Sequence, residues 1–217
     1  MEQSDKSIYN LRHDFSKASL DEKEVDALPS DQFGKWMLQA LEARIPEAQA
    51  MVLSTVNAAG KPSARVVYLR EYGNGNFAFF TNYKSRKAEE LLKNPNACLT
   101  FFWPELERQI RIEGVIEMHT KEASDAYFYS RPHTSKIGAW SSPQSKVLKD
   151  RTELENLVTE FDKRYPNEDV PRPEYWGGYR LKANYYEFWQ GRASRLHDRI
   201  AYTQQKDGNW KIERLAP

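Results

Sequence analysis

The sequence predicts a mainly β protein with flanking helices, an α+β arrangement built on an antiparallel barrel or strongly curled sheet. Three observations carry this reading. From Ala50 onward apolar residues recur in short runs with the two-residue period of strands. Turn signals at Asn57-Ala58-Ala59-Gly60 and Asn74-Gly75 separate successive runs by a few residues, which suits hairpins and leaves no room for parallel crossovers. Five or six such runs precede the late part of the chain, too many short strands for a parallel α/β fold.

Residues 1–28 are polar and weakly periodic, and read as a mobile arm able to act as a lid, with one short turn around Ile8 to Phe15. Pro29-Ser30-Asp31 then starts a helix. Phe33, Trp36, Met37, Ala40, Leu41 and Ile45 recur at helical spacing up to the stop at Pro46. Strands are expected at Met51 to Val56, Ser63 to Leu69 and Phe77 to Thr81. Ser85 to Leu92 returns to helical spacing and halts at Asn94-Pro95, and strands follow at Ala97 to Trp103 and Gln109 to Met118. Helices are expected at Lys121 to Ser130 and Asp150 to Arg164, the latter with Leu154, Leu157, Val158 and Phe161 on one face, and a polar loop with Gly138 and Pro143 lies between them. Tyr165 to Pro173 carries three prolines and reads as a crossing segment. Late strands are expected at Tyr179 to Leu181, Tyr185 to Trp189, Ile200 to Thr203 and Trp210 to Leu215.

A chain of 217 residues suffices for one sizeable core without a disulfide or structural metal. Cys98 is the only cysteine, which fits a reducing compartment, and the cytoplasm is the expected location. The N-terminus lacks a signal-peptide apolar run, and no stretch approaches the length of a membrane span, so no membrane partner is expected. Basic and acidic residues, 32 against 31, nearly cancel, which argues against a general nucleic-acid surface. No phosphate loop, HExxH or GxSxG motif occurs, and the four histidines have no metal-ligand spacing, so no metal is expected.

The chemistry-bearing residues fall in three places. Arg65 and Arg70 stand at the ends of one strand on opposite faces, and Phe80-Thr81 leads to Ser85-Arg86-Lys87 at a helix start, where backbone N–H groups, the helix dipole and two cations suit a phosphate. A solvated helix start fits the same residues. Tyr127, Arg131 and Ser135 combine a phenol, a guanidinium and a hydroxyl near a helix end, a second anion clamp, while Gln109, Gln144 and Ser145 offer groups for a heterocycle edge or for phosphate oxygens. Glu187 through Arg199 packs two aromatic rings, an imidazole, two carboxylates and three arginines into one stretch, a density suited to a flat anionic aromatic ligand, or to an amphipathic strand and turn with solvated arginines.

Taken together, Arg65 to Arg70, Phe80-Thr81-Asn82, Ser85-Arg86-Lys87, Glu107-Arg108-Gln109, Tyr127-Phe128, Ser130-Arg131-Pro132, Gln144-Ser145, Trp176-Gly177-Gly178, Glu187 to Gly191, Arg195 to Arg199 and the terminal Glu213 to Pro217 resemble the pyridoxamine (pyridoxine) 5′-phosphate oxidase family. The resemblance runs from about residue 11 to the end. It implies an FMN-binding split β-barrel, homodimeric, with the FMN site shared between subunits: an arm over 1–28, a domain over 29–217, and within it a C-terminal dimerisation and substrate-binding region over 174–217. It also implies oxidation of pyridoxamine and pyridoxine 5′-phosphates to pyridoxal 5′-phosphate, with dioxygen as acceptor. The implied FMN contacts are Arg65, Val66, Val67, Tyr68, Leu69, Arg70, Phe80, Thr81, Arg86, Lys87, Gln109, Gln144, Ser145, Trp189 and Arg199. The implied substrate contacts are Arg12, Phe15, Arg70, Tyr127, Arg131, Ser135, Arg195, Leu196 and His197, with Arg195 and His197 catalytic, while Arg192 has no matching role and is expected to be solvated. Arg70 stands where the family usually has lysine, and Phe15 where tyrosine is common. A related split-barrel flavoprotein acting on another substrate is the alternative.

Overall fold

The computed structural model describes residues 14–217. Nine strands form one antiparallel sheet: β1 (Ala50–Val56), β2 (Pro62–Tyr68), β3 (Glu71–Gly73), β4 (Asn76–Asn82), β5 (Asn96–Trp103), β6 (Arg108–Met118), β7 (Trp176–Gln190), β8 (Asp198–Gln204) and β9 (Trp210–Leu215). The spatial order is β2-β1-β5-β6-β7-β4-β3, and β8 and β9 extend from β7. The two ends of that path, β2 and β3, follow each other directly in the chain, and the Arg70 N–H bonds to the Ala78 carbonyl on β4 at 2.9 Å. The sheet is therefore curled back on itself as a split barrel.

The barrel interior is aromatic and aliphatic. Leu53, Phe79, Leu99, Phe101, Ile110, Leu181 and Phe188 are all fully buried. Helix α1 (Pro29–Glu42) begins with proline at its first position, where the fixed φ fits and the missing N–H costs nothing, and it buries Phe33, Trp36, Met37 and Ala40. Leu41, expected on that face, is 55% exposed, because it sits on the margin of the apolar stripe. Helix α2 (Arg86–Lys93) packs Ala88 and Leu91 into the core beside β1, and α3 (Lys121–Tyr129) is capped by the Thr120 hydroxyl, which accepts the Ala123 N–H.

The polar loop expected between the later helices is instead helix α4 (His133–Ser141). Its serine, threonine and glycine content weakens the helical signal, and tertiary burial of Ile137 and Ala139 beside Phe128 and Trp176 supplies what propensity lacks. Helix α5 (Arg151–Arg164) packs on α4 with its apolar face only half-buried.

The two strands expected at 179–181 and 185–189 are one strand, β7, of 15 residues. Its pairing with β6 shifts between Glu113 and Gly114, leaving Asn184 as an extra residue, a β-bulge. A side chain at Gly114 would place its Cβ 2.2 Å from the Lys182 carbonyl oxygen, so the close approach of the two backbones requires glycine. Residues 14–28, part of the expected arm, lie along the body: Leu20 is buried, and the Glu107 carboxylate accepts the Ser16 and Lys17 N–H groups at 2.9 and 3.0 Å. No helix among the described residues is long and apolar enough to cross a membrane.

Candidate functional site

Arg65, Arg70, Lys87 and Arg131 line one cavity of about 560 Å³. Strand β2 and its extension contribute Arg65, Val66, Val67, Tyr68 and Arg70; β4 contributes Phe80 and Thr81; α2 contributes Lys87. The junction of α3 and α4 brings Tyr127, Arg131 and Ser135, the loop after α4 brings Gln144, and Trp176 opens β7. Two distant clusters from the sequence thus converge. Trp176, Ser130 and Pro132 also line the cavity without having been singled out as contacts; the Trp176-Gly177-Gly178 and Ser130-Arg131-Pro132 motifs held that signal.

The cations are arranged for an anion. Lys87 Nζ donates to Gln144 Oε1 at 2.6 Å and Thr81 Oγ1 at 3.1 Å, both neutral. Burial, and then the charge of Arg65, pull its ammonium down to about 8. The guanidinium carbon of Arg131 lies 4.6 Å over the Trp176 ring, and its buried Nη1 has no hydrogen-bond partner. Burial lowers the Arg131 pKa, with the nearby Arg70 charge acting in the same direction and Tyr127 opposing. Arg70 itself lies over the rings of Tyr68 and Tyr127. Among the described residues, Arg70, Lys87 and Arg131 have no carboxylate within ion-pairing distance. Lys87 and Arg131 are half-buried and Arg70 is exposed beside them; half-buried cations without counter-ions are costly unless an anion enters. Phe80, Tyr127 and Trp176 stack nearly parallel, with centroids 4.1 Å (Phe80–Tyr127) and 5.8 Å (Phe80–Trp176) apart, and wall one side with flat rings.

Arg65 differs from its neighbours in having a carboxylate, Glu90 of α2, at 3.2 Å. Arg86 pairs with the same carboxylate at 2.9 Å and does not line the cavity. Leu69 faces the core, and Ser145 lies beyond the cavity wall with φ +70°.

The remaining predicted residues form a second group at the far end of β7. Gln109, Trp189 and Arg199 occupy one row across β6, β7 and β8, each directly opposite the next. Arg199 is held by the buried Glu187 at 2.9 Å and donates to the Ala216 carbonyl. His197 packs on Trp189 with ring centroids 4.6 Å apart, and Phe15 meets both rings edge-on at 5.7 and 5.6 Å. The Arg192 N–H donates to His197 Nδ1 at 3.1 Å, so the neutral imidazole carries its proton on Nε2. Burial, followed by the charge of Arg195, lowers the His197 pKa against the opposing Asp198, which favours that neutral form. Ser194 and Arg195 both take positive φ, +56° and +61°, a backbone state that non-glycine residues adopt at a cost. Leu196 beside them is 68% exposed. Arg192, expected to be solvated, is instead paired with Asp198 at 3.1 Å. Arg12 lies outside the described residues.

A side chain on Gly191 would put its Cβ 2.7 Å from the Phe15 ring, so this glycine makes room for the arm. Among the described residues no group of three or more His, Cys, Asp or Glu is placed to hold a metal ion.

Comparison with known proteins finds two family models. Residues 37–165 match a model described as pyridoxamine 5′-phosphate oxidase, and residues 176–217 match one described as the pyridoxine 5′-phosphate oxidase C-terminal dimerisation region. A pyridoxine/pyridoxamine 5′-phosphate oxidase from Nostoc punctiforme is 51% identical over 213 residues, 98% of this chain and 100% of its own. One from Bordetella petrii is 52% identical over 211 residues, covering 97% and 100%. Among solved structures, PhzG from Burkholderia lata, in complex with tetrahydrophenazine-1-carboxylic acid, superposes with a TM-score of 0.85 at 29% identity, covering 90% of this chain and 95% of its own.

Proposed function

The chain belongs to the pyridoxamine 5′-phosphate oxidase family, and on that premise we propose how its own residues carry out the oxidation of pyridoxamine and pyridoxine 5′-phosphates to pyridoxal 5′-phosphate. The reaction uses dioxygen as electron acceptor and yields hydrogen peroxide, and the amine substrate also takes up water and releases ammonia. The observation that carries the assignment is the cavity in which Arg70, Lys87 and Arg131 lack counter-ions, with Arg131 Nη1 left unpartnered. Such a donor set fits FMN and a phosphorylated substrate, since both bring phosphate groups and flat rings. When bound, FMN supplies a two-electron acceptor that dioxygen can regenerate.

Arg65, Thr81, Lys87 and Gln144 would hold the cofactor's phosphate end, with Arg86 and Ser145 behind them. Val66, Val67, Tyr68 and Phe80 line the wall that its rings would meet, and Leu69 contributes through its place in the strand. Arg70, Tyr127, Arg131 and Ser135 would clamp the substrate phosphate. An arginine at position 70 keeps the charge that the usual lysine supplies and adds a planar fork. Arg195 packs on the substrate ring, and His197 donates its Nε2 proton to a polar substituent of that ring. Phe15 closes the site from the arm.

These roles need two copies of the chain. Trp176 lines the cavity, whereas Trp189 lies thirteen residues further along the same strand, up to about 40 Å at the rise of an extended chain. The Gln109–Trp189–Arg199 row and the Arg195–His197 loop therefore serve the cavity of a partner in a homodimer. Val66 beside the cavity and Leu196 beside His197 are 63% and 68% exposed, apolar surface that such a dimer would cover. A cytoplasmic location accords with the single unpaired cysteine.

The test is anaerobic addition of pyridoxine 5′-phosphate to the FMN-loaded protein. The flavin absorbance should bleach, and return with stoichiometric peroxide when air is admitted. Retention of FMN without bleaching would favour a related flavoprotein with another substrate.

A further inference from the structure

Among the described residues, Glu90 is the only carboxylate paired with a cation of the cavity, and it does not line the cavity. It is buried, 4% exposed, on the inner face of α2. Its Oε2 accepts from the hydroxyls of Thr55 and Ser63 and from Arg65 Nη2, and its Oε1 accepts from Arg86 Nε at 2.9 Å. Arg65 is held on every side: Nη1 donates to the Leu53 carbonyl at 3.0 Å and to Thr55 Oγ1 at 2.6 Å, and Nη2 to Ser63 and Glu90. A long, flexible side chain is thereby fixed against the cavity wall before any ligand arrives.

We propose that Glu90 is a positioning residue for the cofactor phosphate, acting through Arg65; the inference rests on the FMN reading above. Burial would push the Glu90 carboxyl up, but the bonds from Thr55, Ser63 and Arg86 and the Arg65 charge together hold it at about 2, so it stays ionised throughout the working range. Its charge also offsets Arg65, whose proximity already lowers Lys87, and so lets two cations share one end of the cavity without an anion. A carboxylate with four donors cannot be replaced by an amide without turning an NH₂ group toward one of them.

The sign of the effect separates this role from simple electrostatics. Removing a negative charge raises the cavity's positive potential, so charge alone predicts tighter phosphate binding in Glu90→Gln. Positioning predicts weaker binding. The experiment measures affinity of the apoprotein for FMN and for riboflavin, which lacks the phosphate, by flavin fluorescence quenching. FMN affinity should fall at least about tenfold in Glu90→Gln, as for a lost bond to a charged group, while riboflavin affinity stays within about twofold. In an Arg65→Ala background the same substitution should change FMN affinity by less than about twofold. Ser63→Ala, a milder cut in the same network, should weaken FMN selectively by about threefold and guards against a Glu90 variant that does not fold. Equal loss of both flavins, unchanged or tighter FMN binding, or a full effect without Arg65 would each overturn the proposal. A wild-type protein that does not prefer FMN to riboflavin would instead overturn the cofactor reading itself.

Discussion

Replacing Gly191 by alanine tests whether the arm and the Trp189–His197 end of the site are mechanically joined. The new Cβ would stand 2.7 to 2.8 Å from three Phe15 atoms near the root of its ring, about 0.7 Å inside the closest ordinary contact of 3.4 Å. Phe15 has little room to retreat, because Glu107 holds the N–H groups of the next two residues. The ring must leave, and with it two edge-on contacts, to Trp189 and His197. At roughly 0.5–1.5 kcal/mol each, their loss amounts to about 1–3 kcal/mol. That corresponds to a shift of about 5- to 150-fold in the docked population of the arm. The assay is trypsin cleavage after Lys17, which is exposed but whose backbone is tied to Glu107, together with KM for pyridoxine 5′-phosphate. Both should rise in Gly191→Ala. In a Phe15→Ala background the glycine substitution should add less than about twofold to either, since the ring it displaces is gone. Wild-type cleavage and KM in Gly191→Ala, or an undiminished effect without Phe15, would refute the reasoning.

Lys87 supplies a pH dependence. Its ammonium is depressed to about 8 in the free protein, so FMN affinity should be full below that value and decline as pH rises through it; Lys87→Met should abolish the decline in titrations of the apoprotein. Arg131→Ala should raise KM for pyridoxine 5′-phosphate by about 10- to 100-fold, the range for a lost bond to a charged group, with FMN affinity changed much less. If two chains share each site, Arg131→Ala and Arg195→Ala chains, each nearly inactive alone at substrate near the wild-type KM, should regain about a quarter of wild-type activity under that condition when unfolded together and refolded as a random mixture, because half the dimers carry one intact site of two. Separate refolding followed by mixing at low exchange should show no recovery.

Much of the fold is readable from period and punctuation. The strand at Trp210–Leu215 falls where alternation and the Asp207-Gly208 turn place it, and α1, α2, α3 and α5 begin at recognisable proline, serine, threonine and aspartate starts. Helix α4 was not readable because its residues form a helix only with the packing of Ile137 and Ala139 beneath them. The site divides similarly. Cations announce themselves by type and grouping, so Arg65, Lys87 and Arg131, which the fold brings to one cavity, could be named from the sequence. The roles of three buried carboxylates could not: Glu90 holding Arg65, Glu107 holding the N–H groups of Ser16 and Lys17, and Glu187 holding Arg199 become visible only when the fold buries them. Only Glu90 left a local trace, four residues after Arg86 on one helical face.

The bulge at Asn184 governs more than the pairing of two strands. Before it, β7 turns its odd-numbered residues inward, Tyr179, Leu181 and Ala183; after it the even-numbered ones, Tyr186 and Phe188, are inside. One extra residue reverses the parity of everything downstream. With an even count, Trp189 would point into the barrel and Phe188 would take its place in the row with Gln109 and Arg199. The strand thus resembles a sentence with a deliberate frameshift: its first half and its second are spelled in different frames, the second, in the proposed dimer, for a neighbour's cavity, and a single asparagine changes the reading frame between them.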